Sequence, residues 1–387
     1  MVAATQPRTA SATVRRAGPT SATIALLRDS VRLVLDRARA DSAFPGAFAV
    51  IGTSDSVLVE YGAGTLDWST SPRPDANTLW DMASLTKVVG MTSAMMQLTE
   101  TGKVDLDAPV QRYLPEFRGP NKELVTVRHL LTHSSGLPAW RPLYKETTTP
   151  EAARALAVAT ALDTLPGVRM VYSDLGAIIL GQVVERVSGE RLDEYLTRHV
   201  FGPLRMTSTQ YRPSPALLPL IAPTEFDPWR QRKIHGEVHD ENAFALGGIS
   251  AHAGLFSTGH DVARLTRMYL NGGTLDGVRL VSAETIRRFT TVQDSVLSNR
   301  ALGWETPNGS NSAGHLLKRP AFGHTGFTGT SIWIDPTRDL FVILLTNRVN
   351  PTRQNLRIGG VRTALADVVA RIVDRGAPSP LSSPTPR

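Results

Sequence analysis

The chain contains no cysteine among its 387 residues. Disulfide bonds, thiolate metal ligands and a cysteine nucleophile are therefore excluded, although this absence assigns no cellular compartment. Aromatic residues make up only 6% of the chain, and no apolar run is long enough to cross a bilayer as a helix. We therefore predict a protein without a membrane span.

Lysine is also scarce: 6 lysines stand beside 36 arginines and 35 acidic residues, for a formal net charge of +7. The arginines are scattered along the chain, without the clusters and interleaved aromatic residues of a nucleic-acid groove. We interpret the basic charge as a solvated surface and predict no nucleic-acid partner. The hydrophobic fraction of 41% is sufficient for a large buried core.

The two ends of the chain differ in composition from the rest. Residues 1–20 are rich in alanine, threonine, serine and arginine, and they lack the continuous apolar stretch of a secretory signal peptide. Residues 376–387 are rich in proline and serine. We predict that both segments are disordered.

Ser84 and Lys87 form an S-x-x-K pattern. Side chains three residues apart on a helix can touch, so the lysine is placed to activate the serine hydroxyl as a nucleophile. If Ser84 begins that helix, the helix dipole also favours negative charge at the reacting centre. The spacing alone has a high chance frequency, and a capping serine with a surface lysine is the alternative interpretation.

A second element is Tyr172-Ser173-Asp174, which follows a proline–glycine loop signal and precedes the apolar stretch 175–184. In this position the tyrosine can place its phenolic oxygen near Ser84. The alternative is a core tyrosine whose hydroxyl binds the backbone.

A third element is His324-Thr325-Gly326, just before a predicted strand at residues 330–334. Glycines beside this strand allow a substrate backbone to approach it closely. A glycine-rich hairpin without a functional role is the alternative.

In this order and at these separations, the three elements resemble the motifs of the serine β-lactamase and penicillin-binding-protein superfamily. The most similar groups are class C β-lactamases, D-alanyl-D-alanine carboxypeptidases and family VIII esterases. Further matching segments are Leu79-Trp80-Asp81, residues 130–137, Leu302-Gly303-Trp304 and residues 344–348. The resemblance extends over residues 25–375.

The resemblance implies a mixed α/β fold, in which an antiparallel sheet flanked by N- and C-terminal helices carries an inserted all-helical domain. Strand patterns near both ends of the chain and helical patterns in its middle agree with this fold. Apolar periodicity predicts an amphipathic first helix at residues 22–40, and a final helix is predicted at residues 361–373. We predict a discontinuous sheet domain at residues 21–83 and 300–375, and a mainly helical domain at 84–299.

The resemblance also implies the roles of individual residues. Ser84 attacks an ester or amide carbonyl, and Lys87 with Tyr172 transfers its proton, without a cofactor or a metal. Asp174 pairs with Lys87, and the backbone N–H groups of Ser84 and Phe327 hold the oxyanion. The substrate-binding residues are Asp174, His324, Thr325, Gly326, Phe327 and Arg348.

Two positions depart from the superfamily pattern. Asp174 replaces the usual asparagine and His324 the usual lysine, as in esterases and peptidases rather than in efficient β-lactamases. We therefore predict hydrolysis of a short ester or a D-alanyl peptide amide, with β-lactam hydrolysis as the alternative. Since an imidazole with a pKa near about 6.5 is mostly neutral at pH 7.5, we expect neutral esters to be preferred over carboxylate-bearing substrates. Arg348 is the candidate for a replacement cation.

The sequence disfavours two other classes of protein. A catalytically inactive module that binds peptidoglycan or a partner protein is disfavoured, because all three catalytic positions hold groups able to function. An α/β-hydrolase is disfavoured, because the chain has no G-x-S-x-G sequence.

Relatives often act outside the cytoplasm, and the resemblance suggests an extracytoplasmic location although no signal peptide is visible. The sequence predicts no oligomeric state.

One segment outside these motifs, residues 238–256, resembles a branch of carboxypeptidases within the superfamily. Three candidate metal ligands lie in this segment: His239, Asp240 and His252. No H-E-x-x-H motif or cysteine pair supports one, so hydrogen bonding in a loop near the cleft is the favoured interpretation.

Overall fold

The computed structural model describes residues 18–376. The predicted disordered segments, 1–20 and 376–387, lie outside the described residues apart from residues 18–20 and Gly376. The helices are α1 (Ser21–Ala40), α2 (Thr92–Glu100), α3 (Val127–Leu131), α4 (Leu143–Glu146), α5 (Pro150–Ala159), α6 (Asp174–Ser188), α7 (Leu192–Leu196), α8 (Glu241–Ala245), α9 (Gly259–Leu270), α10 (Ala283–Thr290) and α11 (Ile358–Gly376). Within the described part, no helix is both long and apolar enough to span a bilayer.

The strands form one large sheet and several small ones. They are β1 (Gly46–Gly52), β2 (Val57–Gly64), β3 (Trp80–Asp81), β4 (Gln210–Tyr211), β5 (Phe226–Asp227), β6 (Arg232–Lys233), β7 (Leu255–Ser257), β8 (Thr274–Leu275), β9 (Val278–Arg279), β10 (Phe322–Thr325), β11 (Ser331–Asp335) and β12 (Leu340–Thr346). The large sheet is antiparallel with the order β10-β11-β12-β1-β2. Segments from the two ends of the chain are therefore neighbours in one sheet.

The centre of this sheet is buried on both faces. All seven residues of β1 and of β12 are buried, and the two strands pair from Ala47 opposite Thr346 to Gly52 opposite Phe341. Alternate residues of β1 enter two different cores: Ala49 packs with helices α1 and α11, and Val50 packs with the core that includes α2 and α9. Near-continuous apolar strands are expected where helices cover both faces of a sheet.

The two flanking helices confirm the sequence-based prediction. The helix predicted at residues 22–40 is α1, whose N-terminal cap is Thr20; the Thr20 hydroxyl accepts a hydrogen bond from the Thr23 amide at 3.2 Å. The helix predicted at 361–373 begins three residues earlier, at Ile358. The adjacent glycines Gly359 and Gly360 lower helix propensity and hide this first turn in the sequence.

The middle of the chain contains α2 to α10 together with short strands. Strands β3, β7 and β4 form a three-stranded sheet, which joins the segment before Ser84 to residues more than 120 positions away. These strands have two or three residues, too few for a recognisable alternation. The predicted fold class is confirmed with this refinement, whereas the domain boundaries at residues 83 and 299 stay a prediction.

Candidate active site

Ser84 lies at the end of a tight turn that follows β3, directly before the helical residues 85–100. Ala83 has a φ of 46°, in the left-handed region that is costly for a residue with a Cβ atom. The Asp81 carboxylate accepts a hydrogen bond from the Ala83 amide at 2.8 Å and so stabilises this conformation. The turn places Ser84 at the start of the helix, as the S-x-x-K pattern predicted.

The buried Asp81 joins this turn to two other segments. Its second carboxylate oxygen accepts the amide of His239 at 2.6 Å, and its backbone carbonyl accepts the hydroxyl of Thr328 at 2.8 Å. Burial raises the pKa of Asp81, while the neighbouring His239 opposes this effect. The sequence contained Asp81 in a matching segment but indicated no role for it.

Lys87 is buried, and its ammonium group makes two hydrogen bonds and one ion pair. Nζ donates to Ser84 Oγ at 3.0 Å and to the backbone carbonyl of His252 at 2.9 Å, and it lies 2.7 Å from Asp174 Oδ1. Burial acts to lower the pKa of Lys87, but Asp174 and Tyr172 together raise it above its ordinary value. Lys87 is therefore an ammonium ion at neutral pH, and the pair of Asp174 with Lys87 is present as predicted.

Tyr172 is positioned by the loop that contains His133. The His133 ring lies 4.5 Å from the Tyr172 ring between centroids, and its Nδ1 accepts the Ser173 amide at 3.1 Å. The Asp174 amide donates to the carbonyl of Ala139 at 2.9 Å. Burial lowers the pKa of His133 well below its ordinary value, and the nearby Arg300 and Lys87 add to this. The matching segment 130–137 thus holds the tyrosine motif through a neutral histidine.

His324, on β10, faces Tyr172 with 5.8 Å between ring centroids. Its Nδ1 lies 2.8 Å from the carbonyl of Thr325, so Nδ1 carries the proton. Burial lowers the pKa of His324 well below its ordinary value, with further contributions from Arg300 and Lys87. In the resulting neutral ring Nε2 is a hydrogen-bond acceptor, and it is buried without a partner. The Thr325 carbonyl therefore decides which ring nitrogen of His324 carries the hydrogen.

Arg300 is the cation that the sequence reasoning missed. Its Cζ lies 5.1 Å from the Tyr172 ring centroid, and its side chain is 11% exposed. One guanidinium nitrogen lies 3.8 Å from Glu305 Oε2, whereas Nε and Nη1 are buried and have no hydrogen-bond partner among residues 18–376. Tyr172 Oη is also buried, and the described residues give it no hydrogen-bond partner. A signal was available, because Arg300 stands two residues before the matching segment Leu302-Gly303-Trp304.

The loop after β10 packs directly on the turn before Ser84. A Cβ atom on Gly326 would lie 2.6 Å from the Met82 carbonyl oxygen and 2.1 Å from Thr330 Oγ1, so only glycine fits there. The Phe327 side chain is 49% exposed. Within residues 18–376, the amides of Ser84 and Phe327 donate to no other group, so both are free to bind a substrate oxygen.

Arg348 supports this loop from its other side. Its guanidinium donates to the backbone carbonyls of Phe327 at 2.9 Å, Arg353 at 2.7 Å and Asn355 at 2.8 Å. Burial lowers the pKa of Arg348 below its ordinary value. Its role in substrate binding stays a prediction; its hydrogen bonds among residues 18–376 go to backbone carbonyls, and its Cζ lies 4.5 Å from the Phe327 ring centroid.

The histidines considered as metal ligands make separate hydrogen bonds. His239 Nε2 lies 2.8 Å from Glu225 Oε1, and His252 Nε2 lies 2.9 Å from Asp240 Oδ1. Among the residues between 18 and 376, no three histidine, aspartate or glutamate side chains are grouped so that they could hold a metal ion.

Comparisons with known proteins agree with this geometry. The sequence model of the family described as Beta-lactamase matches residues 31–365. A relative from Escherichia coli K12, named "Putative D-alanyl-D-alanine carboxypeptidase", is 34% identical over 304 residues, which are 70% of this chain and 69% of the relative. The chain therefore belongs to the β-lactamase family, and it is a serine hydrolase.

Solved structures share the fold at lower sequence identity. A penicillin-binding protein homologue from Caulobacter crescentus superposes with a TM-score of 0.74 at 20% identity, over 93% of this chain and all of that one. The hydrolase EstCE1, described as having promiscuous acyltransferase activity, gives a TM-score of 0.73 at 21% identity, over 90% of this chain and all of that one. At this identity the two structures support the fold alone.

Proposed function

We propose that the protein forms an acyl-enzyme on Ser84 and hydrolyses a D-alanyl peptide amide or a short ester. The observation that carries this proposal is the hydrogen bond between Ser84 Oγ and Lys87 Nζ at 3.0 Å, inside a network closed by Asp174. A serine held in this way at a helix start is placed to act as a nucleophile, because its developing charge faces a fixed ammonium.

The proton of Ser84 requires an acceptor other than Lys87 in this state. The Lys87 ammonium has no lone pair, because its nitrogen is already bonded to three hydrogens and one carbon. Tyr172 Oη is buried and unpartnered, and Lys87 Nζ lies 5.0 Å from the Tyr172 ring centroid. Tyr172 takes the proton from Ser84 while it gives its own proton to the leaving group, and Lys87 stabilises the charge on both oxygens.

The oxyanion of the tetrahedral intermediate binds to two backbone amides. Those of Ser84 and Phe327 donate to no other group within residues 18–376. Removing one such donor typically costs about 3–4 kcal/mol of transition-state stabilisation. A water molecule then attacks the acyl group and releases it from Ser84.

Between the two substrate classes, Arg300 favours the D-alanyl peptide. Two of its guanidinium nitrogens are buried without a partner beside Tyr172. A C-terminal carboxylate supplies two acceptor oxygens, and arginine binds carboxylates through paired donors. The expected preference for neutral esters depended on the absence of a cation; Arg300 supplies one. The name of the Escherichia coli relative supports the same choice.

Covalent labelling tests the nucleophile directly. We expect Ser84→Ala to abolish labelling by fluorescent penicillin or a fluorophosphonate and to lower kcat/KM at least about 10³-fold, because the attacking group is lost. Ser93→Ala, at a buried serine on α2 outside the site, is the control and should keep wild-type labelling. Intact-mass spectrometry and peptide mapping locate the adduct. An adduct on Ser173 or Ser250 instead of Ser84 would disprove the assignment.

A further inference from the structure

The segment from His239 to His252 contacts the turn that carries Ser84 at one end and the catalytic Lys87 at the other. At one end, the His239 amide donates to Asp81 Oδ2 at 2.6 Å, beside the turn that carries Ser84. At the other end, the His252 carbonyl accepts a hydrogen bond from Lys87 Nζ at 2.9 Å. Backbone groups make both contacts, so their geometry depends on what holds the segment in place.

The two ends are joined to each other by the side chains of a half-buried aspartate and a buried histidine. Asp240 Oδ1 lies 2.9 Å from His252 Nε2 and accepts the Ala243 amide at 2.7 Å, which caps helix α8. On the other side of the ring, His252 Nδ1 lies 2.7 Å from Ser250 Oγ. Burial acts to raise the pKa of Asp240, but His252 and the Ala243 amide hold it well below its ordinary value. Asp240 is therefore a carboxylate, and both ring nitrogens of His252 are hydrogen-bonded.

We propose that the Asp240–His252 pair is a positioning device for the nucleophile. By joining the ends of residues 239–252, the pair holds the His239 amide against Asp81 and the His252 carbonyl against Lys87. Neither side chain touches the reacting atoms, so both are positioning residues. The inference rests on the proposed function in so far as Ser84 is the nucleophile.

The state of Lys87 reports on this device. A carbonyl acceptor favours the charged form of an amine, so displacement of the His252 carbonyl lowers the pKa of Lys87. The other charged and titratable groups around Lys87 come from elements that Asp240 does not hold. They are Asp174, Tyr172, His133, His324 and Arg300. Asp240→Ala also removes a negative charge, so a fall in the Lys87 midpoint is assigned to the carbonyl when Asp240→Asn, which loses the same charge, does not show it.

The test is an NMR titration of the protein labelled with ¹³C at the lysine ε-carbon. The chain has only 6 lysines, and Lys87 is assigned by the signal lost in Lys87→Arg. We expect Asp240→Ala to lower the Lys87 titration midpoint by about 1 pH unit, as the loss of a hydrogen bond to a charged group implies. Lys122 is an internal control, because it donates to the Val158 carbonyl at 2.6 Å elsewhere in the protein.

Two further variants separate positioning from general destabilisation. Asp240→Asn keeps the oxygen that accepts from His252 and Ala243, so its Lys87 midpoint should stay near the wild-type value. Asp261→Ala removes a buried carboxylate that accepts one amide and one hydroxyl, from Ser208 and Thr209. This matched variant should lower Tm and leave the Lys87 midpoint unchanged.

The inference is wrong if Asp240→Ala lowers Tm as much as Asp261→Ala does but leaves the Lys87 midpoint unchanged. Should Asp240→Ala not fold, Ser250→Ala removes the partner of His252 Nδ1 at the other end of the chain of hydrogen bonds, and its midpoint must fall in the same direction. The titration needs no substrate. Its failure would leave the Ser84 labelling intact, and absent labelling of Ser84 would leave the titration readable.

Discussion

The two sides of the candidate site satisfy their polar groups differently. On the nucleophile side, which comprises Ser84, Lys87 and Asp174, the Lys87 ammonium donates two hydrogen bonds and forms an ion pair with Asp174 at 2.7 Å. On the ligand side, which comprises Tyr172, His324 and Arg300, each side chain has at least one buried polar atom that no charged or hydrogen-bonding group among residues 18–376 satisfies.

This difference indicates different roles for the two sides in catalysis. Groups that are already held in place stabilise the transition state without reorganisation at the moment of reaction. A buried polar group without a hydrogen-bond partner destabilises the protein by about 1–3 kcal/mol, and a ligand that supplies the missing partner removes this destabilisation. We infer that the nucleophile side provides the chemistry and that the ligand side selects the substrate.

Breaking the contact between the two sides should give the largest effect. We expect Lys87→Ala and Tyr172→Phe each to lower kcat/KM by about 10³-fold, and the double variant to be no worse than about 10-fold below either, because the two act as one unit. Steady-state kinetics on a D-alanyl-D-alanine peptide measures this. Multiplication of the two single defects would indicate independent roles, and near-normal turnover in Tyr172→Phe would remove the tyrosine from the mechanism.

Neutralising the cation of the ligand side should change specificity by a smaller factor. We expect Arg300→Gln to lower kcat/KM for a D-alanyl-D-alanine peptide about 10- to 100-fold more than for the same peptide with a C-terminal amide, since hydrogen bonds to charged groups contribute about 1.5–3 kcal/mol.

The matched control is Arg73→Gln. The Arg73 guanidinium also lies over a tyrosine ring, 4.9 Å from the centroid of Tyr61, away from the site. It should leave the ratio of the two substrates unchanged. A loss of the carboxylate preference in Arg348→Gln, with Arg300→Gln unaffected, would instead make Arg348 the anchor that the sequence predicted.

The smallest effect concerns stability in mild acid. Burial keeps the pKa values of His133 and His324 well below the ordinary value, so below about pH 6.5 the unfolded chain binds protons that the native protein does not. The free energy of unfolding should therefore fall as the pH falls, by up to about 1.4 kcal/mol per pH unit for each histidine.

Chemical denaturation at pH 7.0 and 5.5 measures this loss. We expect His324→Gln to reduce the loss of stability on acidification, because glutamine binds no proton in either state. His260→Gln, at a side chain that is 54% exposed, is the control and should keep the wild-type difference. An equal loss in His324→Gln and wild type would mean that His324 is not held neutral.

Most of the local structure could be predicted from the sequence. The S-x-x-K spacing implied that Ser84 and Lys87 touch, since helical geometry alone brings residues three apart together. The apolar periodicity of α1 predicted its buried face, and the pattern at residues 330–334 predicted the strand β11, whose five residues are all buried. The local structure that the sequence did not predict consists of helix ends and of strands of two or three residues, because so few residues show no recognisable periodicity.

The contacts that the sequence did not indicate share one property: they join residues that are distant in sequence. Asp81 binds the His239 amide across 158 positions, and Lys87 binds the His252 carbonyl across 165. Arg300 has no motif of its own, and it meets Tyr172 only because the chain returns to the site after the helical region. No local pattern encodes such contacts.

The sequence by itself determined which reactive groups are available to the site: a serine, a lysine and a tyrosine in a recognisable order, and no thiol. It also determined those helices and strands that apolar periodicity predicts. The tertiary structure decided the state of those groups. Asp174 and Tyr172 keep Lys87 charged despite its burial, the carbonyl of Thr325 makes His324 Nε2 an acceptor, and the return of the chain places Arg300 beside Tyr172. Protonation and hydrogen-bond direction depend on the whole surroundings of a group, and only the folded chain assembles those surroundings.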